Sequence, residues 1–530
     1  MASNGKTFFE THTEMKQIFD YASWVLVVTL WTTICFIVPD FMDNPTDGWY
    51  GQLLVAAYIT ACGIGSFFLL YIIGTNKYVG AFLLPIWSIL GSVLSFYRIG
   101  FHTTFTPIIL DVTLHTNIEE AMGVVSWQLV IWVVFNLLCV FLLLVWRWRK
   151  IGLTYSWIHA IIAMVAGTLY FTCNARLQNS LCQRFPYSVP TTIKAYVAMQ
   201  QSIEQDRSTP PFTITEQPDS LTIVFIIGES ARADHLQLNG YERETNPLLS
   251  KRSNIVSFPH IYSEQTHTLA CMPYILTRAD STHEQYQYSE RSFITLFRQN
   301  DYRTAWLSNQ DLGNTFAHFP SESDTVVFAN AGKTDFVYSP WMDKELLPIM
   351  YSIRKAAHHP RALFVLHTIG SHWYYNNHVP PCMYYFQPIT TNRVITANSL
   401  EQIINSYDNS IRYMDYFVDK VIASLENSIA LVVYQSDHGE ALGEEGAYLH
   451  GIDMEEVKHP ACIVWYSDAF AAAYPDKVNA LIANRNKRYH TDYVFYSLLY
   501  AAGIEAEGDC ATMNIFRQND ISEDTHSMGR

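Results

Sequence analysis

Ile429-Ala-Leu-Val-Val-Tyr434 runs directly into Gln435-Ser436-Asp437-His438-Gly439-Glu440, and this junction decides how the chain is read. An unbroken apolar run of that length predicts a strand buried on both faces, and open α/β sheets bind their ligands outside the carboxyl ends of such strands. A second junction of the same kind lies about two hundred residues earlier, where Leu221-Thr-Ile-Val-Phe-Ile-Ile227 is followed by Gly228-Glu229-Ser230. If the two strands share one parallel sheet, Glu229, Asp437 and His438 converge on one edge. Two carboxylates and an imidazole suit Zn²⁺, with Mn²⁺ second, and leave a coordination position open for chemistry. Taken alone, an Asp-His pair is more often a surface hydrogen-bonded couple than a metal site, and Gly-Glu-Ser after a strand is commonly just a turn; the conjunction points to a metal.

Working outward from this edge, further apolar runs at Thr304–Leu307, Thr325–Phe328, Ala362–Leu366 and Ala461–Trp465 alternate with helical stretches such as Ser399–Leu425. The pattern predicts a doubly wound α/β domain over 221–516, followed by a polar tail, 517–530. Ahead of it the composition changes. Of the 530 residues 49% are hydrophobic, and the apolar ones crowd the first third in five stretches, Ile18–Val38, Leu53–Ile73, Tyr78–Tyr97, Val124–Trp146 and Tyr155–Cys173. Each approaches the ~20 residues that cross a bilayer as a helix, so residues 1–173 are expected to form a five-span membrane domain rather than to carry a cleavable signal peptide. The segment 174–220, punctuated by Pro186, Pro190, Pro210 and Pro211 and with a helix over Thr192–Gln205, reads as a bridge.

Charge orients the spans. Arg147, Arg149 and Lys150 cluster between spans four and five, and Lys77 lies between two and three. These loops are expected in the cytoplasm, which exports everything after Cys173 and places the loop 99–121 on the outer face, part of it as a short amphipathic helix. The net charge of −15 excludes nucleic acid as a partner, because phosphate neutralisation needs basic stripes. Cys35, Cys62 and Cys139 fall in spans. Cys173 with Cys182, and Cys271, Cys382, Cys462 and Cys510 among themselves, have the option of disulfides in an oxidising compartment, with no connectivity readable from sequence.

A metal edge of this type calls for a nucleophile. Tyr262-Ser-Glu-Gln-Thr-His-Thr-Leu-Ala-Cys-Met-Pro273 offers Ser263, Thr266, Thr268 and Cys271, and a hydroxyl touching the metal has a lowered pKa. Together with Gly228-Glu-Ser-Ala-Arg-Ala-Asp-His235, Asn239-Gly-Tyr-Glu-Arg-Glu-Thr-Asn-Pro247, Gly370-Ser-His372 and Ser436-Asp-His-Gly-Glu-Ala-Leu-Gly-Glu-Glu-Gly-Ala-Tyr-Leu-His-Gly451, this segment resembles the bacterial phosphoethanolamine transferases of the alkaline phosphatase superfamily. That group includes the lipid A modifying enzymes behind polymyxin resistance. The resemblance covers nearly the whole chain.

The resemblance implies a zinc-dependent inner-membrane enzyme with a periplasmic, sulfatase-like catalytic domain. It would move phosphoethanolamine from phosphatidylethanolamine to lipid A or the lipopolysaccharide core through a covalent threonine intermediate. Thr268 matches the family's nucleophile; Glu229, Asp437 and His438, with Thr268 itself, match the ligands of one zinc. His372 and His450 match histidines that contact the transferred phosphate or a second metal and protonate the leaving alcohol. Thr116 and Glu120 match residues that approach the ethanolamine head. Two positions depart from the family: Val112 stands where an Asn is usual four residues before that Thr, and no Cys flanks Thr268 at the family's disulfide position. Among rivals, a sulfatase would need an Arg after Cys271-Met-Pro-Tyr, where Ile275 stands. A lipoteichoic acid synthase would transfer glycerol phosphate instead. A membrane-anchored interaction module without metal would leave the clustered ligands unexplained.

Overall fold

The computed structural model describes residues 8–44, 48–101, 103–115, 126–151, 157–172, 175–310, 317–332, 340–357 and 359–518. The chain forms two compact units, one built on Met1–Ala198 together with Gly332–Ser339, the other on Met199–Ala331 and Pro340–Arg530.

The first unit is helical. Helices α1 (Phe8–Thr32), α2 (Gly48–Thr75), α3 (Lys77–Phe101), α4 (Pro107–His115), α5 (Trp127–Lys150) and α6 (Trp157–Thr172) follow in order. Four segments among the described residues are long and apolar enough to cross a membrane: Lys16–Phe41, Gly48–Thr75, Lys77–Gly100 and Trp127–Lys150. The fifth expected span is described only over Ile158–Thr172, which at 1.5 Å per residue falls short of a ~30 Å hydrocarbon layer, and its flanks lie outside the described residues. Two polar pairs tie helices of the bundle together: Trp31 donates to Asn136 Oδ1 at 3.1 Å, and Trp132 to Ser95 Oγ at 3.0 Å. Arg147 is not a free loop charge. It is buried in the last turn of α5 and donates to the carbonyl of Ile151 at 2.9 Å, which leaves Arg149 and Lys150 exposed as the basic end of that helix. Within the loop 99–121 a short helix, α4, does form, while Thr116 and Glu120 lie outside the described residues.

The second unit is the expected α/β domain. Its seven-stranded sheet comprises β1 (Leu221–Gly228), β2 (Ile255–Phe258), β3 (Arg303–Ser308), β4 (Thr325–Phe328), β5 (Arg361–His367), β6 (Ala430–Ser436) and β7 (Cys462–Tyr466), in the order β2-β7-β6-β1-β5-β3-β4. All six apolar runs read from the sequence are strands. The seventh, β2, has an alternating burial pattern at the sheet edge and carries no unbroken apolar run. The sheet is mixed: β6, β1, β5, β3 and β4 are parallel, but β7 pairs antiparallel with both β6 and β2. Helices cover both faces of the parallel core. One of them, α9 (Leu400–Ala423), starts at a reciprocal cap in which Ser399 and Gln402 satisfy each other's backbone donors.

The described cysteines are free thiols. Cys271 and Cys462 are buried within packed elements, the thiol of Cys462 lying 3.0 Å from the Tyr493 hydroxyl, and Cys382 and Cys510 are exposed without a partner thiol. Cys182 is free as well, and Cys173 lies outside the described residues.

Candidate active site

Strand register brings the two acidic junctions together. In the β1–β6 pair Gly228 stands opposite Ser436, so Glu229 and Asp437 leave the sheet side by side, and the amide of Asp437 donates to the Gly228 carbonyl at 3.1 Å. On the other flank of β1, β5 delivers Gly370 and His372; the Ser371 amide donates to the Glu229 carbonyl at 3.0 Å. Gly370 takes φ +49°, and a Cβ there would stand 2.9 Å from the Glu229 carbonyl oxygen, so this approach needs glycine. Ser230 is likewise left-handed at φ 56°, and its amide donates to Asp437 Oδ1 at 3.2 Å.

Thr268 opens helix α7 (Thr268–Leu276), whose first turn points at this edge. Its hydroxyl donates to Glu229 Oε2 at 2.8 Å and lies 3.4 Å from His438 Nε2. Two of the rival nucleophiles are otherwise engaged: Ser263 Oγ is spent on the Gln265 carbonyl at 2.8 Å, and Cys271 is fully buried one turn along α7 with its thiol pushed well up by that burial. The Thr266 carbonyl holds the Gly451 amide at 2.7 Å, beside His450.

Glu229, Asp437 and His438 are fully buried. His438 Nδ1 lies 2.8 Å from the Gly439 carbonyl and donates to it, which turns the lone pair of Nε2 inward, 3.4 Å from Glu229 Oε1 and 3.3 Å from Asp437 Oδ2. A lone pair facing two carboxylate oxygens is repulsive unless a cation lies between them. Asp437 Oδ2 also lacks any hydrogen-bond partner although buried. Burial works against ionising Glu229, yet positive charge at the positions of His438, His372 and His450 lowers its carboxyl below the usual range, whereas burial and then the charge of Glu229 drive Asp437 well above the carboxylate range. Two acids that cannot both ionise without help, an orphaned oxygen and an inward imidazole fit a divalent cation such as zinc. Glu229, His438 and His450 also form a group whose ligand atoms lie within 4.8 Å of one another, so His450 stands closer to the metal-type cluster than the family assignment implied.

Around this centre sit residues that the motifs did not single out. Gln310 donates from Nε2 to Glu229 Oε2 at 2.7 Å. Buried Glu440 lies 2.9 Å from His450 Nδ1 through Oε2 and accepts from the Tyr375 hydroxyl at 3.0 Å through Oε1, fixing the imidazole ring. Buried Asp343 accepts from Asn309 Nδ2 at 2.8 Å, the Ile369 amide at 2.9 Å and the Gly370 amide at 3.0 Å. It thereby ties the loop carrying Gln310 to the loop carrying His372. Glu440 lay in the quoted Asp-His-Gly-Glu motif; Gln310 and Asp343 had no sequence signal, since their meaning comes from contacts across the fold. The His372 ring lies tilted against that of His450 with centroids 5.5 Å apart, and the His450 ring lies tilted against that of His438 at 4.5 Å, so the three imidazoles line one mouth.

A buried acid pair, an inward imidazole and a hydroxyl within hydrogen-bond reach at the carboxyl edge of an α/β sheet define a class of phosphoryl- or sulfuryl-transfer proteins, and the comparisons agree. The sequence model of the sulfatase family matches residues 222–504, more than half of the chain, and the chain belongs to that family. Residues 64–179 match the model described as phosphoethanolamine transferase EptA/EptB. Phosphoethanolamine transferase EptA of Escherichia coli K12 is 31% identical over 320 residues, 58% of this chain and 57% of that protein; the chain thus matches a little over half the length of this relative. Among solved structures, the soluble domain of lipooligosaccharide phosphoethanolamine transferase A from Neisseria meningitidis is 26% identical with a TM-score of 0.52, covering 59% of this chain and 96% of that one. The integral membrane form of the same enzyme shares the fold over 93% of this chain and 98% of its own, with a TM-score of 0.53 at 22% identity.

Proposed function

We propose that this chain is a membrane-anchored phosphoethanolamine transferase that takes its group from phosphatidylethanolamine and passes it to lipid A or to the lipopolysaccharide core. The observation that carries the reading is the Thr268 hydroxyl, 2.8 Å from Glu229 Oε2 and 3.4 Å from His438 Nε2 inside a metal-type cluster. The names of the relatives, and the match of residues 64–179 to the transferase model, support the group transferred.

Glu229, Asp437, His438 and Thr268 would hold one zinc, which when bound supplies positive charge for the attacking oxygen and the phosphoryl oxygens. Thr268 gives its hydroxyl proton to Glu229 Oε2, the acceptor it already faces, as Oγ attacks phosphorus; the bond from phosphorus to the diacylglycerol oxygen breaks, and phosphoethanolamine remains on Thr268. His450, oriented by Glu440, and His372 are proposed to give the departing alcohol its proton. An acceptor oxygen then attacks the same phosphorus, and Thr268 Oγ leaves and regains its proton. Thr116 and Glu120 are proposed to meet the ethanolamine head. The helices keep the enzyme in the inner membrane that holds the donor, with the domain 221–516 in the periplasm.

The test separates the half-reactions. Thr268→Ala is expected to abolish release of diacylglycerol from phosphatidylethanolamine as well as transfer, a loss on the order of 10³-fold or more, while Cys271→Ser keeps turnover. Mass spectrometry of enzyme incubated with donor alone should find phosphoethanolamine on the peptide carrying Thr268. Full activity in Thr268→Ala, or the adduct on Cys271, would overturn the assignment; a glycerol phosphate adduct from phosphatidylglycerol in its place would move the chain to the lipoteichoic acid synthase reaction. A reporter active only in the periplasm, fused after Arg530, is expected to be active.

A further inference from the structure

The amino-terminal edge of the same sheet carries a second site of opposite charge. A cavity of about 520 Å³ opens below the first residues of β1, β3 and β5, floored by Thr222, Ala362 and Phe364 and walled by Arg303, Arg354, Lys355 and His359. Arg354 and Lys355 come from the last turn of α8 (Leu346–Ala357), while Ser424 and Ser428 close the far wall after α9. None of the lining residues is acidic, in a chain whose net charge is −15.

The cations in this wall are not there to pair. Among the described residues neither the Arg303 nor the Lys355 side chain has a hydrogen-bonding or ion-pair partner. Arg354 is half-buried and burial lowers its pKa, yet its guanidinium meets only neutral acceptors, the Ser424 carbonyl and, at 2.6 Å, the Ser428 hydroxyl. Desolvating a guanidinium without a carboxylate is unfavourable and calls for an anion from outside. The adjacent carboxylate, Asp301, is outside the lining and is engaged by Arg361 at 2.6 Å and His359 at 3.6 Å. Guanidinium, ammonium and hydroxyl donors around a solvent-open pocket match a tetrahedral oxyanion, whose oxygens accept from several directions at once.

We propose that this cavity binds a phosphate-type anion, either free phosphate or the phosphate of a phosphorylated sugar. The inference is independent of the transferase reading, since it uses no residue of the carboxyl edge.

Equilibrium dialysis of the detergent-solubilised full chain with radiolabelled inorganic phosphate, at fixed ionic strength, tests it. Chelation of zinc before dialysis, in a His372→Ala/His450→Ala background, removes phosphate held at the other edge. In that background a saturable phosphate site is expected, weakened at least tenfold by adding Arg303→Gln and Lys355→Gln and retained when Arg303→Lys and Lys355→Arg preserve the charge. No saturable binding, or equal binding in the charge-removing and charge-preserving variants, overturns the proposal. So does displacement by an equal excess of chloride, which would mark simple screening. Competition by a phosphorylated glucosamine disaccharide, with none by its dephosphorylated form, would support the site with a glycan phosphate as ligand; phosphate binding without that competition supports it with free phosphate.

Discussion

At the carboxyl edge of the sheet Glu229, Asp437 and His438 are fully buried, each held by backbone or by a neighbouring side chain, and their atoms crowd within about hydrogen-bond range of Thr268. At the amino edge of the same strands Arg303 and Lys355 stand open to solvent without partners. The difference separates two uses of charge. Buried ionisable groups tolerate their desolvation only when an ion and a rigid shell complete them, which pre-organises them for chemistry. Exposed cations around a cavity keep their hydration until an anion displaces it, which suits recognition.

The largest effect expected from breaking the carboxyl edge is on metal. Asp437→Asn and Glu229→Gln should each lower zinc occupancy tenfold or more by elemental analysis of the purified chain, while Arg303→Gln with Lys355→Gln leaves it unchanged. Equal zinc in wild type and both acid variants would remove the site and with it the contrast.

A smaller loss should follow from the shell. Glu440→Gln takes the carboxylate from His450 Nδ1 and is expected to lower kcat for transfer about tenfold with zinc content preserved. A parallel fall in zinc would place His450 among the metal ligands, as its position near Glu229 and His438 allows.

The smallest effect concerns stability. Burial raises Asp343 from 3.8 to about 6, so between those values the folded chain keeps a proton that the unfolded chain has lost. Its contribution is complete below the unfolded pKa and is lost as pH rises through the folded one, at most about 3 kcal/mol. Asp343→Asn should therefore flatten the fall in melting temperature over that interval, read by thermal unfolding in detergent; an unchanged slope would mean that Asp343 titrates as it does in the unfolded chain.

Much of this was legible in the chain itself. Apolar runs marked the other six strands of the seven-stranded sheet; in the interior ones this is because a strand covered on both faces has no solvent side to record in an alternating pattern, while the edge strand β4 kept its run although it is only partly buried. Glu229, Asp437 and His438 were readable because they follow those runs directly, and the spacing from Thr268 to Pro273 matched a known family. Local order along the chain determines strand, strand end and motif, and so the sequence by itself determined the membrane helices, the α/β domain and the acids and imidazoles of one edge. Only the tertiary structure decided which of four candidate nucleophiles reaches Glu229, that β7 runs against its neighbours, that the described cysteines stay unpaired, and that Gln310, Asp343 and Glu440 brace the site. It also gathered Arg303, Arg354 and Lys355 from separate elements around one cavity. Each of these depends on register and packing between segments far apart in sequence, where hydrogen bonds and Coulomb forces act through space and leave no periodic trace in the order of residues.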